Sequence, residues 1–517
     1  MKILTASQMG EVDRRTSELG VPMLVLMENA GHRVLEVLAH AYAPIHDQRI
    51  VLMCGKGNNG GDGLVVARQL YTRFKPRALH VLLAGDPGEM KGDAAANYRM
   101  LEAVGCPVTF EITPEMETAT VIVDALLGTG IRGPAQGRSL ELIRAINERF
   151  PLADVIAVDI PSGLDSDSGV PPGDAVHASH TVTFTAPKLC HVLGPAYEFA
   201  GKLHVASIGS PAHLFENDPA IFLSLSEPRI FADLFQPRPR DSNKGQYGHV
   251  LVIAGSRSKT GAAAMAGIAA LRAGAGLATV ASAESAISAI AAHAPEIMTD
   301  PLPETPSGSI ALRALDQGAL KRSLEKKNVV ALGPGMGQDP DTVQVIQRLV
   351  GELTVPMVVD ADGLNALGNR NFRVQAPCIL TPHPGEMSRL TGKTIQEIQA
   401  DRIGVARAFA EERGVHLVLK GDRSVIAAPD GRVWINPTGS PSMATGGTGD
   451  VLTGMVAGLV AQFPDQLEAA LLAAVYLHGR AGEIGAAKLG EKSLIATDLF
   501  QFLPEAMREV RDVSHAI

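Results

Sequence analysis

Short apolar runs and longer helical stretches alternate along the first half of the chain. Runs rich in Val, Ile and Leu of this length, each followed by a helical stretch, are typical of buried parallel strands joined by crossover helices. The pattern therefore predicts a doubly wound parallel sheet, with strands at 50–53, 79–84, 121–124, 155–159, 181–185 and 203–208.

The same alternation starts again after a polar, proline-bearing segment, PRPRDSNKG at 237–245. No fixed period relates the two halves, so we expect two different domains and not a duplication. Each is expected to be a three-layer α/β/α domain, and the predicted boundaries are 1–215, a linker at 216–239, and 240–517. In the second half we predict strands at 250–254, 329–332, 357–360, 378–381 and 417–420, and helices at 261–273 and 467–479.

Composition narrows the class of protein. With 517 residues the chain exceeds what one core usually covers. Apolar residues make up 46% and aromatic residues only 4%, which favours close packing of helices on sheets. The 46 basic and 55 acidic residues give a net charge of −9, which disfavours nucleic acid as the main partner.

Cysteine usage and the N-terminus indicate a reducing compartment. The four cysteines are widely scattered and form no CxxC pair, so neither a zinc site nor a disulfide framework is predicted. The N-terminus lacks a long apolar segment, and no stretch reaches the apolar length of a membrane span. We expect a soluble cytoplasmic protein with no membrane partner.

Ligands of open α/β sheets bind beyond the carboxyl ends of the strands, which groups the motifs of each half along one edge. In the first half the run GKGNNGGDG at 55–63 joins a strand to a helix that we expect to begin near Leu64. Its glycine spacing is neither that of the Walker loop nor that of the Rossmann fingerprint. The adjacent amides Asn58 and Asn59 favour a phosphate or sugar site over a bare turn, while Asp62 could instead cap the helix.

Carboxylates follow two further strands of the first half. Asp124 and Asp159 end separate predicted strands, and Ser162 lies just beyond the second. Oxygen groups of this kind suit a hard cation such as potassium, or general acid and base catalysis. The alternative, that each aspartate caps its own loop, stays open.

Together the motifs GNNGGDG at 57–63, DALLGTG at 124–130 and DIPSG at 159–163 closely resemble the NAD(P)H-hydrate epimerase domain over about the first 215 residues. The resemblance implies that Asp159 contacts a damaged dinucleotide near its reacting ring, and that Asn59, Asp124 and Ser162 hold a potassium ion. It also implies that the dinucleotide is bound by Asn58, Asn59, Gly60, Gly61, Asp62, Gly128, Thr129, Gly130, Ile131, Arg132, Gly133 and Pro134.

In the second half the run MATGGTGDVLTG at 443–454 places a glycine turn and one carboxylate directly before an apolar helix. Gly446, Gly447 and Gly449 let backbone N–H groups converge, and a helix that begins near Asp450 adds its positive dipole end, so an anion can bind there. Asp450 would then orient or deprotonate an attacking hydroxyl. A simple capping aspartate is the alternative.

Two further motifs follow predicted strands of the second half. Lys420 with Gly421 could bring an ammonium and backbone N–H groups to one phosphate, although an exposed lysine is the alternative. His383 lies between two prolines that fix its loop, which favours binding, although a structural histidine stays possible. The run GPGMG at 333–337 could allow close approach of a substrate or merely turn the chain.

These motifs, with GAA at 261–263 and ALRAGAG at 270–276, resemble the ribokinase-like superfamily and more narrowly its ADP/ATP-dependent NAD(P)H-hydrate dehydratases, over about 240–510. The resemblance implies that Ala262, Gly337, His383 and Asp450 face the hydrate. It implies that the nucleotide is bound by Lys420, Gly421, Asp422, Arg423, Ser424 and Gly449. Asp422 and Arg423 are variable in type across such motifs.

Because both resemblances occur in one chain, in this order, the chain is similar to the bifunctional NAD(P)H-hydrate repair enzymes. They imply epimerisation of the hydrates of NADH and NADPH and dehydration of the S form with ADP, which gives AMP and phosphate. Magnesium with ADP and a homo-oligomeric state are expected as well. Hydration at C6 of the nicotinamide ring gives both epimers. A dehydratase selective for the S form would therefore leave the R form unrepaired without an epimerase.

Two alternatives remain open. The second half could be a small-molecule kinase of the hydroxymethylpyrimidine or sugar type, because a GTGD run does not separate phosphorylation from phosphorylation followed by elimination. The first half could be a binding or scaffold module. The presence of Asp62, Asp124 and Asp159 together argues against the second alternative.

Overall fold

A computed structural model of the protein describes residues 1–513. It divides into two compact units, Met1–Leu223 and a second that begins at Ser224. The two are referred to below as the first unit and the second unit.

The first unit contains a seven-stranded sheet in the order β3-β2-β1-β4-β5-β6-β7, and every neighbouring pair is parallel. The strands are β1 (Arg49–Cys54), β2 (Ala78–Leu83), β3 (Val108–Thr109), β4 (Val121–Ala125), β5 (Asp154–Val158), β6 (His180–Phe184) and β7 (Lys202–Ala206). The helices are α1 (Ala6–Glu18), α2 (Met23–Ala41), α3 (Asn58–Gln69), α4 (Gly92–Ala103) and α5 (Gly137–Arg149).

Helices cover both faces of this sheet. Because successive side chains of a strand point to opposite faces, β1 contributes to two apolar clusters. Ile50 and Leu52 pack in a cluster with residues of α2, α3 and α4. Val51 and Met53 pack in another with residues of α5. The first unit is therefore a three-layer α/β/α domain whose strand order reverses between β1 and β4, the place where such sheets bind ligands.

The second unit contains a ten-stranded sheet in the order β11-β10-β9-β12-β13-β14-β15-β16-β17-β8. Its strands from β11 to β15 pair in parallel, whereas β16 is antiparallel to both of its neighbours. The strands are β8 (Leu223–Leu225), β9 (His249–Ile253), β10 (Leu277–Ala283), β11 (Met298–Leu302), β12 (Val329–Leu332), β13 (Met357–Val359), β14 (Cys378–Leu380), β15 (His416–Leu419), β16 (Val425–Ala427) and β17 (Val433–Ile435).

Small residues bring two helices of the second unit close together. A Cβ on Gly454 would lie 2.1 Å from the carbonyl oxygen of Ala266, and one on Gly458 would lie 2.5 Å from that of Ala270. This packing fixes the start of α15 against α6 at the sheet edge. The helices of the unit are α6 (Thr260–Arg272), α7 (Ile287–Ala291), α8 (Arg313–Asp316), α9 (Ala319–Leu324), α10 (Pro340–Glu352), α11 (Asp362–Leu367), α12 (Pro384–Thr391), α13 (Ile395–Ala400), α14 (Arg402–Arg413), α15 (Thr448–Gln462), α16 (Leu467–Leu489) and α17 (Leu499–Val513).

The predicted fold class is confirmed, and all eleven predicted strands occur within about two residues of their predicted bounds, the uncertainty usual for element ends. The strands that the pattern did not predict are short or atypical: β3, β8, β16 and β17 have two or three residues, β10 is rich in Ala, and β11 is an edge strand with a proline. The segment 216–239, predicted as a linker, contributes Phe231 and Leu234 to the core of the second unit.

One predicted boundary is wrong. The helix expected to begin near Leu64 is α3, which begins at Asn58 and so includes the glycines of the motif. Glycine is a poor helix former, but here the missing side chains allow close packing. A Cβ on Gly60 would lie 1.8 Å from the carbonyl oxygen of Gly55, and one on Gly61 would lie 2.7 Å from the sulfur of Met27.

Candidate active sites

A cavity of ≈ 680 Å³ lies in the first unit at the carboxyl ends of β1, β4 and β5, and side chains of α1 and α2 also line it. This is the position that the strand order predicts for a ligand. The predicted residues that line it are Asn58, Asn59, Asp62, Gly128, Thr129, Gly130, Ile131 and Asp159. The lining does not include Gly60, Gly61, Arg132, Gly133, Pro134, Asp124 or Ser162.

Arg132 is held outside the lining by ion pairs. Its guanidinium donates to Asp165 at 2.8 Å and to Asp167 at 2.9 Å, and 58% of its side chain is exposed. Asp167 also accepts from the backbone N–H of Ala6, so this cluster ties the loop after β5 to the start of α1.

A buried cluster of oxygen groups lies beside the cavity. The Ser162 hydroxyl donates to Asp124 Oδ1 at 2.6 Å, and its backbone N–H donates to Oδ2 at 2.8 Å. The Asn59 amide donates to the carbonyl of Leu127 at 2.9 Å, and Ser162 Oγ accepts from the N–H of the same residue. Asn59 Oδ1 is buried and has no hydrogen-bond partner within residues 1–513.

This cluster suits a cation. A buried carbonyl oxygen without a donor is costly unless a ligand satisfies it. Burial raises the pKa of Asp124 to about 6, although hydrogen bonds from Ser162 and Leu126 oppose that rise. The three side chains therefore converge as an oxygen-only group with one oxygen free for a hard cation.

Asp159 is the carboxylate that faces the cavity, and a buried lysine supports it. Lys188 Nζ donates to Asp159 Oδ1 at 2.6 Å, and Thr183 Oγ1 donates to the same oxygen at 2.9 Å. Lys188 is 1% exposed and Asp159 is 14% exposed. Burial alone would raise the pKa of Asp159, but the ammonium and these hydrogen bonds outweigh it and hold the pKa below its ordinary value.

The backbone of Asp159 is also unusual. Its φ of 63° lies in the left-handed region, which non-glycine residues rarely adopt. Such strain persists where the surrounding structure imposes it, and it often marks functional sites. Here the backbone N–H of Asp159 donates to Val182 and that of Ile160 donates to Val158, which fixes the carboxylate at the strand end.

Two more carboxyl groups line the same cavity. Burial raises the pKa of Asp62 well above its ordinary value, and the charges of Asp159 and Asp13 raise it further. Burial also raises the pKa of Asp13 to about 6, with Lys188 lowering it and Asp159 raising it. The nearby His191 is buried and its pKa falls to about 3, so it is neutral.

The corresponding edge of the second unit holds another lysine and aspartate. Lys420 Nζ donates to Asp360 Oδ1 at 2.7 Å, and Thr453 Oγ1 donates to Asp360 Oδ2 at 2.8 Å. Asp360 is 1% exposed and Lys420 is 20% exposed. Glu386 lies 3.8 Å from the same ammonium. Burial lowers the pKa of Lys420, but Asp360, Glu386 and Asp450 outweigh it and raise it above its ordinary value.

The glycine turn at the start of α15 abuts this pair. The helix begins at Thr448, and Gly447 before it has a φ of 97°. A Cβ on Gly449 would lie 3.4 Å from Lys420 Nζ and 3.5 Å from Asp360 Oδ2, so the backbone there approaches both charges. The structure thus brings Lys420, Gly449 and Asp450 together, as the sequence predicts for a phosphate site.

Asp450 lies in the first turn of α15, close to several other charges. Burial raises its pKa to about 6, Asp360 raises it further, Lys420 lowers it, and Asp362 and Glu386 raise it. A carboxylate with a pKa this close to neutral is suited to take a proton from a hydroxyl.

His383 has a structural task in the loop after β14. Its Nδ1 accepts from the N–H of Gly385 at 3.0 Å and of Glu386 at 3.4 Å, which caps α12. Glu386 in return accepts from the His383 N–H at 2.9 Å. The backbone N–H of Lys420 donates to Pro382, so this loop and the lysine are fixed together.

The GPGMG loop is held at the same edge by a carboxylate. The N–H of Gly337 donates to Asp362 Oδ2 at 2.8 Å, and Lys259 Nζ donates to the same oxygen at 3.0 Å. Ala262 lies beside the loop, since a Cβ on Gly335 would be 3.1 Å from its side chain. Ala262, predicted to face the hydrate, therefore lies beside the loop that carries Gly337, for which the same is predicted.

The loop that follows Lys420 is braced by arginine side chains. Arg402 donates to the carbonyls of Leu419, at 3.2 Å, and Asp422, while Arg423 donates to that of Pro437. Gly421 has a φ of 151° and Arg423 has a φ of 52°. Gly421 and Asp422 are exposed and Arg423 and Ser424 are partly exposed, so the loop is accessible to a nucleotide.

Sequence reasoning missed several residues of both sites. Asp360, Thr453 and Glu386 in the second unit and Asp13 and Lys188 in the first were not among the predicted site residues. Asp360 directly follows β13, the same signal that pointed to Asp159 after β5. Lys188 lies in the apolar run APKLC at 186–190, and a lysine in such a context is itself a sign of a buried, paired charge.

Residues 1–513 contain no group of three or more His, Cys, Asp or Glu side chains placed to hold a metal ion. Within that range no helix combines the length and the apolar character that crossing a bilayer requires.

Two protein-family models match the chain. One is described as YjeF-related protein N-terminus and matches residues 23–190. The other is described as NAD(P)H-hydrate dehydratase and matches residues 250–505. The matched ranges contain most of the residues that surround the cavity of the first unit and the lysine cluster of the second.

Relatives match the chain over nearly its full length. The bifunctional NAD(P)H-hydrate repair enzyme Nnr of Moorella thermoacetica is 43% identical over 526 residues, which cover 99% of this chain and 98% of the relative. The enzyme of the same name from Escherichia coli is 35% identical over 504 residues, with 96% and 92% covered. A crystal structure of ADP/ATP-dependent NAD(P)H-hydrate dehydratase from Bacillus subtilis with ATP/Mg²⁺ is 33% identical, has a TM-score of 0.49, and covers 56% of this chain and 98% of its own.

Proposed function

The chain belongs to the family of bifunctional NAD(P)H-hydrate repair enzymes, and we propose how its two units divide the chemistry between their residues. The first unit is the epimerase and the second is the dehydratase. The observation that carries the proposal is that each unit holds a catalytically suited aspartate beside a lysine, at the edge of its sheet where ligands bind. We propose domain boundaries of 1–215 and 240–517.

In the first unit, Asp159 promotes inversion at C6 of the hydrate. Its carboxylate lines the cavity and stays ionised because Lys188 and Thr183 donate to it. An ionised carboxylate is a base for the C6 hydroxyl or for water. The dinucleotide is bound by residues 58–62 and 128–134, of which Asn58, Asn59, Asp62 and residues 128–131 line the cavity.

A potassium ion would be held by Asn59, Asp124 and Ser162. The unpartnered, buried Asn59 Oδ1 and the carboxylate of Asp124 are the oxygen ligands that a hard cation prefers. When bound, the ion would supply a positive charge beside the cavity and so favour an anionic dinucleotide.

In the second unit, Asp450 orients and deprotonates the C6 hydroxyl of the S hydrate as it attacks the terminal phosphate of ADP. The hydroxyl oxygen bonds to phosphorus, the bond from phosphorus to the bridging oxygen breaks, and AMP leaves. The lone pair of N1 then expels phosphate from C6 and forms an N1=C6 bond. Loss of a proton from C5 to water forms the C5=C6 bond, returns the pair to N1 and restores the dihydronicotinamide. Lys420 and the N–H groups of residues 446–449 stabilise the charge that develops on the phosphoryl group.

The other proposed contacts with the hydrate and the nucleotide lie at the ligand-binding edge of the sheet of the second unit. Ala262, Gly337 and His383 face the hydrate, and the nucleotide is bound by residues 420–424 with Gly449. Magnesium would enter with ADP and would be held chiefly by the phosphates, since Mg²⁺ usually takes few protein ligands. A cytoplasmic location and a homo-oligomeric state stay predictions, the second testable by light scattering on the purified protein.

The two activities separate in one experiment. The full chain is incubated with mixed R and S hydrates, with and without ADP, and the absorbance of the reduced nicotinamide and the epimer ratio are followed. With ADP we expect full recovery of reduced cofactor, and without ADP only equilibration of the epimers. A stable phosphoester in place of recovered cofactor would mean that the second unit is an ordinary kinase.

Two substitutions test the catalytic roles proposed for Asp450 and Asp159. Asp450→Asn should abolish dehydration and leave nucleotide binding largely intact, and Asp159→Ala should stop conversion of R to S. The matched controls are Asp465→Asn, exposed after the same helix, and Asp154→Ala, at the opposite, exposed end of β5. Near-normal turnover in either test variant would defeat that residue's assignment.

A further inference from the structure

We propose that Asp13, on helix α1, is a second catalytic carboxyl of the first unit, which gives a proton to the hydrate while Asp159 takes one. This rests on the proposed epimerase function of the unit. Asp13 lies before the part of the chain that the matching family model covers, residues 23–190.

The position of the Asp13 side chain carries the proposal. Met9 and Asp13 lie one helical turn apart on α1 and both line the cavity that holds Asp159 and Lys188. Asp13 Oδ1 is buried, and residues 1–513 offer it no hydrogen-bond partner. A buried carboxyl oxygen without a partner costs free energy, so a group that enters the cavity is its natural partner.

Helix α1 is fixed at this position by the segment that carries Lys188. The N–H of Leu4 donates to the carbonyl of Pro187 at 3.0 Å, directly before the lysine. The N–H of Ala6 donates to Asp167 Oδ1 at 2.7 Å, and Thr5 caps the helix. Asp13 is therefore held at a fixed place in the cavity that Lys188 also lines, as a catalytic group must be.

The charges around the cavity give the two carboxyls different states. Lys188 is shared by three of them, Asp13, Asp62 and Asp159, and it donates to Asp159. Asp159 is thereby kept ionised, whereas burial and the neighbouring negative charge favour the protonated form of Asp13. Two carboxyls whose surroundings separate their protonation in this way suit an acid and a base.

Either route of inversion at C6 uses both groups. If the hydroxyl departs, Asp13 protonates it, water leaves with the C6–O pair, and the lone pair of N1 forms the N1=C6 bond. Water then adds to the other face, that pair returns to N1, and Asp159 takes the released proton. In that route, proton exchange with solvent resets the two groups. If the ring opens instead, Asp159 takes the hydroxyl proton as the C6=O bond forms, and Asp13 protonates N1 as the C6–N1 bond breaks. Rotation about the C5–C6 bond then turns the other face of the aldehyde to N1, which re-forms the C6–N1 bond as Asp13 takes its proton back and Asp159 returns its proton to the oxygen.

The test is Asp13→Asn in the full chain, assayed for conversion of R to S hydrate without ADP. We expect kcat to fall by about 10²- to 10³-fold with little change in KM, since general acid catalysis contributes rates of this order. Asp13→Glu should restore part of the rate, because a carboxyl is again available. Dehydration of pure S hydrate with ADP should stay normal in all variants and shows that the protein is intact.

The matched control is Glu18→Gln on the same helix, which turns an exposed carboxyl that pairs with Arg14 into an amide. It should epimerise like the wild type. A wild-type rate in Asp13→Asn would overturn the proposal, and so would a loss that appears only in KM or that Asp13→Glu does not restore. If the wild type itself fails to epimerise, the proposed function of the unit fails instead.

Discussion

Both units place an aspartate and a lysine in contact at the ligand-binding edge of the sheet, but they bury opposite members of the pair. In the first unit Lys188 is 1% exposed and Asp159 is 14% exposed, with 2.6 Å between the charged atoms. In the second unit Asp360 is 1% exposed and Lys420 is 20% exposed, at 2.7 Å. The aspartate follows the second strand beyond the point where the strand order reverses, β5 or β13, in both units.

The buried member acts as an anchor, and the other member is the more exposed one at the edge where we propose that the ligand binds. A charge taken out of water must be paired, so Lys188 and Asp360 are each fixed by their partner and by a threonine hydroxyl. What each unit then presents differs: a carboxylate in the first and an ammonium in the second. The first is the group that proton transfer at a hydroxyl needs, and the second is the group that binds phosphate.

The largest effect on activity is expected when the ammonium of Lys420, the more exposed member of the pair in the second unit, is removed. In Lys420→Met we expect dehydration of the S hydrate to fall by about 10³-fold, because the phosphoryl group loses its nearest ammonium. Asp360 is left buried and unpaired, and breaking such a pair costs about 3–5 kcal/mol. Recovery of reduced nicotinamide and binding of ADP by calorimetry are the measurements.

A matched control is Lys492→Met, which removes an exposed lysine of the same unit and should leave dehydration unchanged. Epimerisation by the first unit should be normal in both variants. If Lys420→Met bound ADP and turned over as the wild type does, the presented lysine would not be a phosphate ligand and the contrast between the units would fail.

A smaller effect on activity, with a loss of stability of similar size, is expected when the anchor of the first unit is removed. Lys188→Met leaves the carboxylate of Asp159 partly buried without its cation, which costs about 3–5 kcal/mol. Epimerisation should fall by about 10²-fold because Asp159 is no longer held ionised and in place. Hydrogen exchange of peptides from the first unit measures the stability change.

Asp159→Asn combined with Lys188→Met sharpens this test. If Lys188 is the anchor, adding Asp159→Asn to Lys188→Met should restore much of the stability that Lys188→Met alone loses, because no unpaired charge remains. Epimerisation should stay lost. Simple addition of the two stability losses would contradict a direct coupling between the side chains. Dehydration of the S hydrate is the internal control for both variants.

The positions of most strands could be predicted from the sequence. Which charged side chains pair with one another could not. Asp159 and Lys420 were found because each directly follows a buried strand, and Asp450 because it follows a glycine turn before an apolar helix. These are local signals. The start of α3 was misplaced because the packing of its glycines against Met27 and Gly55 outweighs their low helix propensity.

The partners of those residues depend on contacts between distant segments. Asp360 and Lys420 are 60 residues apart, and Thr453 is 93 residues from Asp360. Asp13 joins the cavity only because α1 is tied to the segment before Lys188. No pattern of spacing along the chain predicts that these residues lie close together. Their pairing is therefore visible only in the structure.

The two sites should also respond to pH in opposite directions, by about tenfold per pH unit. Burial, with Asp360, Asp362 and Glu386 opposed by Lys420, raises the pKa of Asp450 to about 6. A base must be ionised, so dehydration should fall as the pH drops below about 6.

Asp13 must instead be protonated to act as an acid, and burial raises its pKa to about 6 in the presence of Lys188, Asp159 and Asp62. Epimerisation should therefore fall as the pH rises above about 6, and Asp13→Asn should remove that limb. Initial rates between pH 5 and 8, with S hydrate and saturating ADP or with R hydrate alone, measure the two limbs separately in the same protein. Two profiles that fall on the same side would contradict the assignment of Asp450 as a base in the second unit and of Asp13 as an acid in the first.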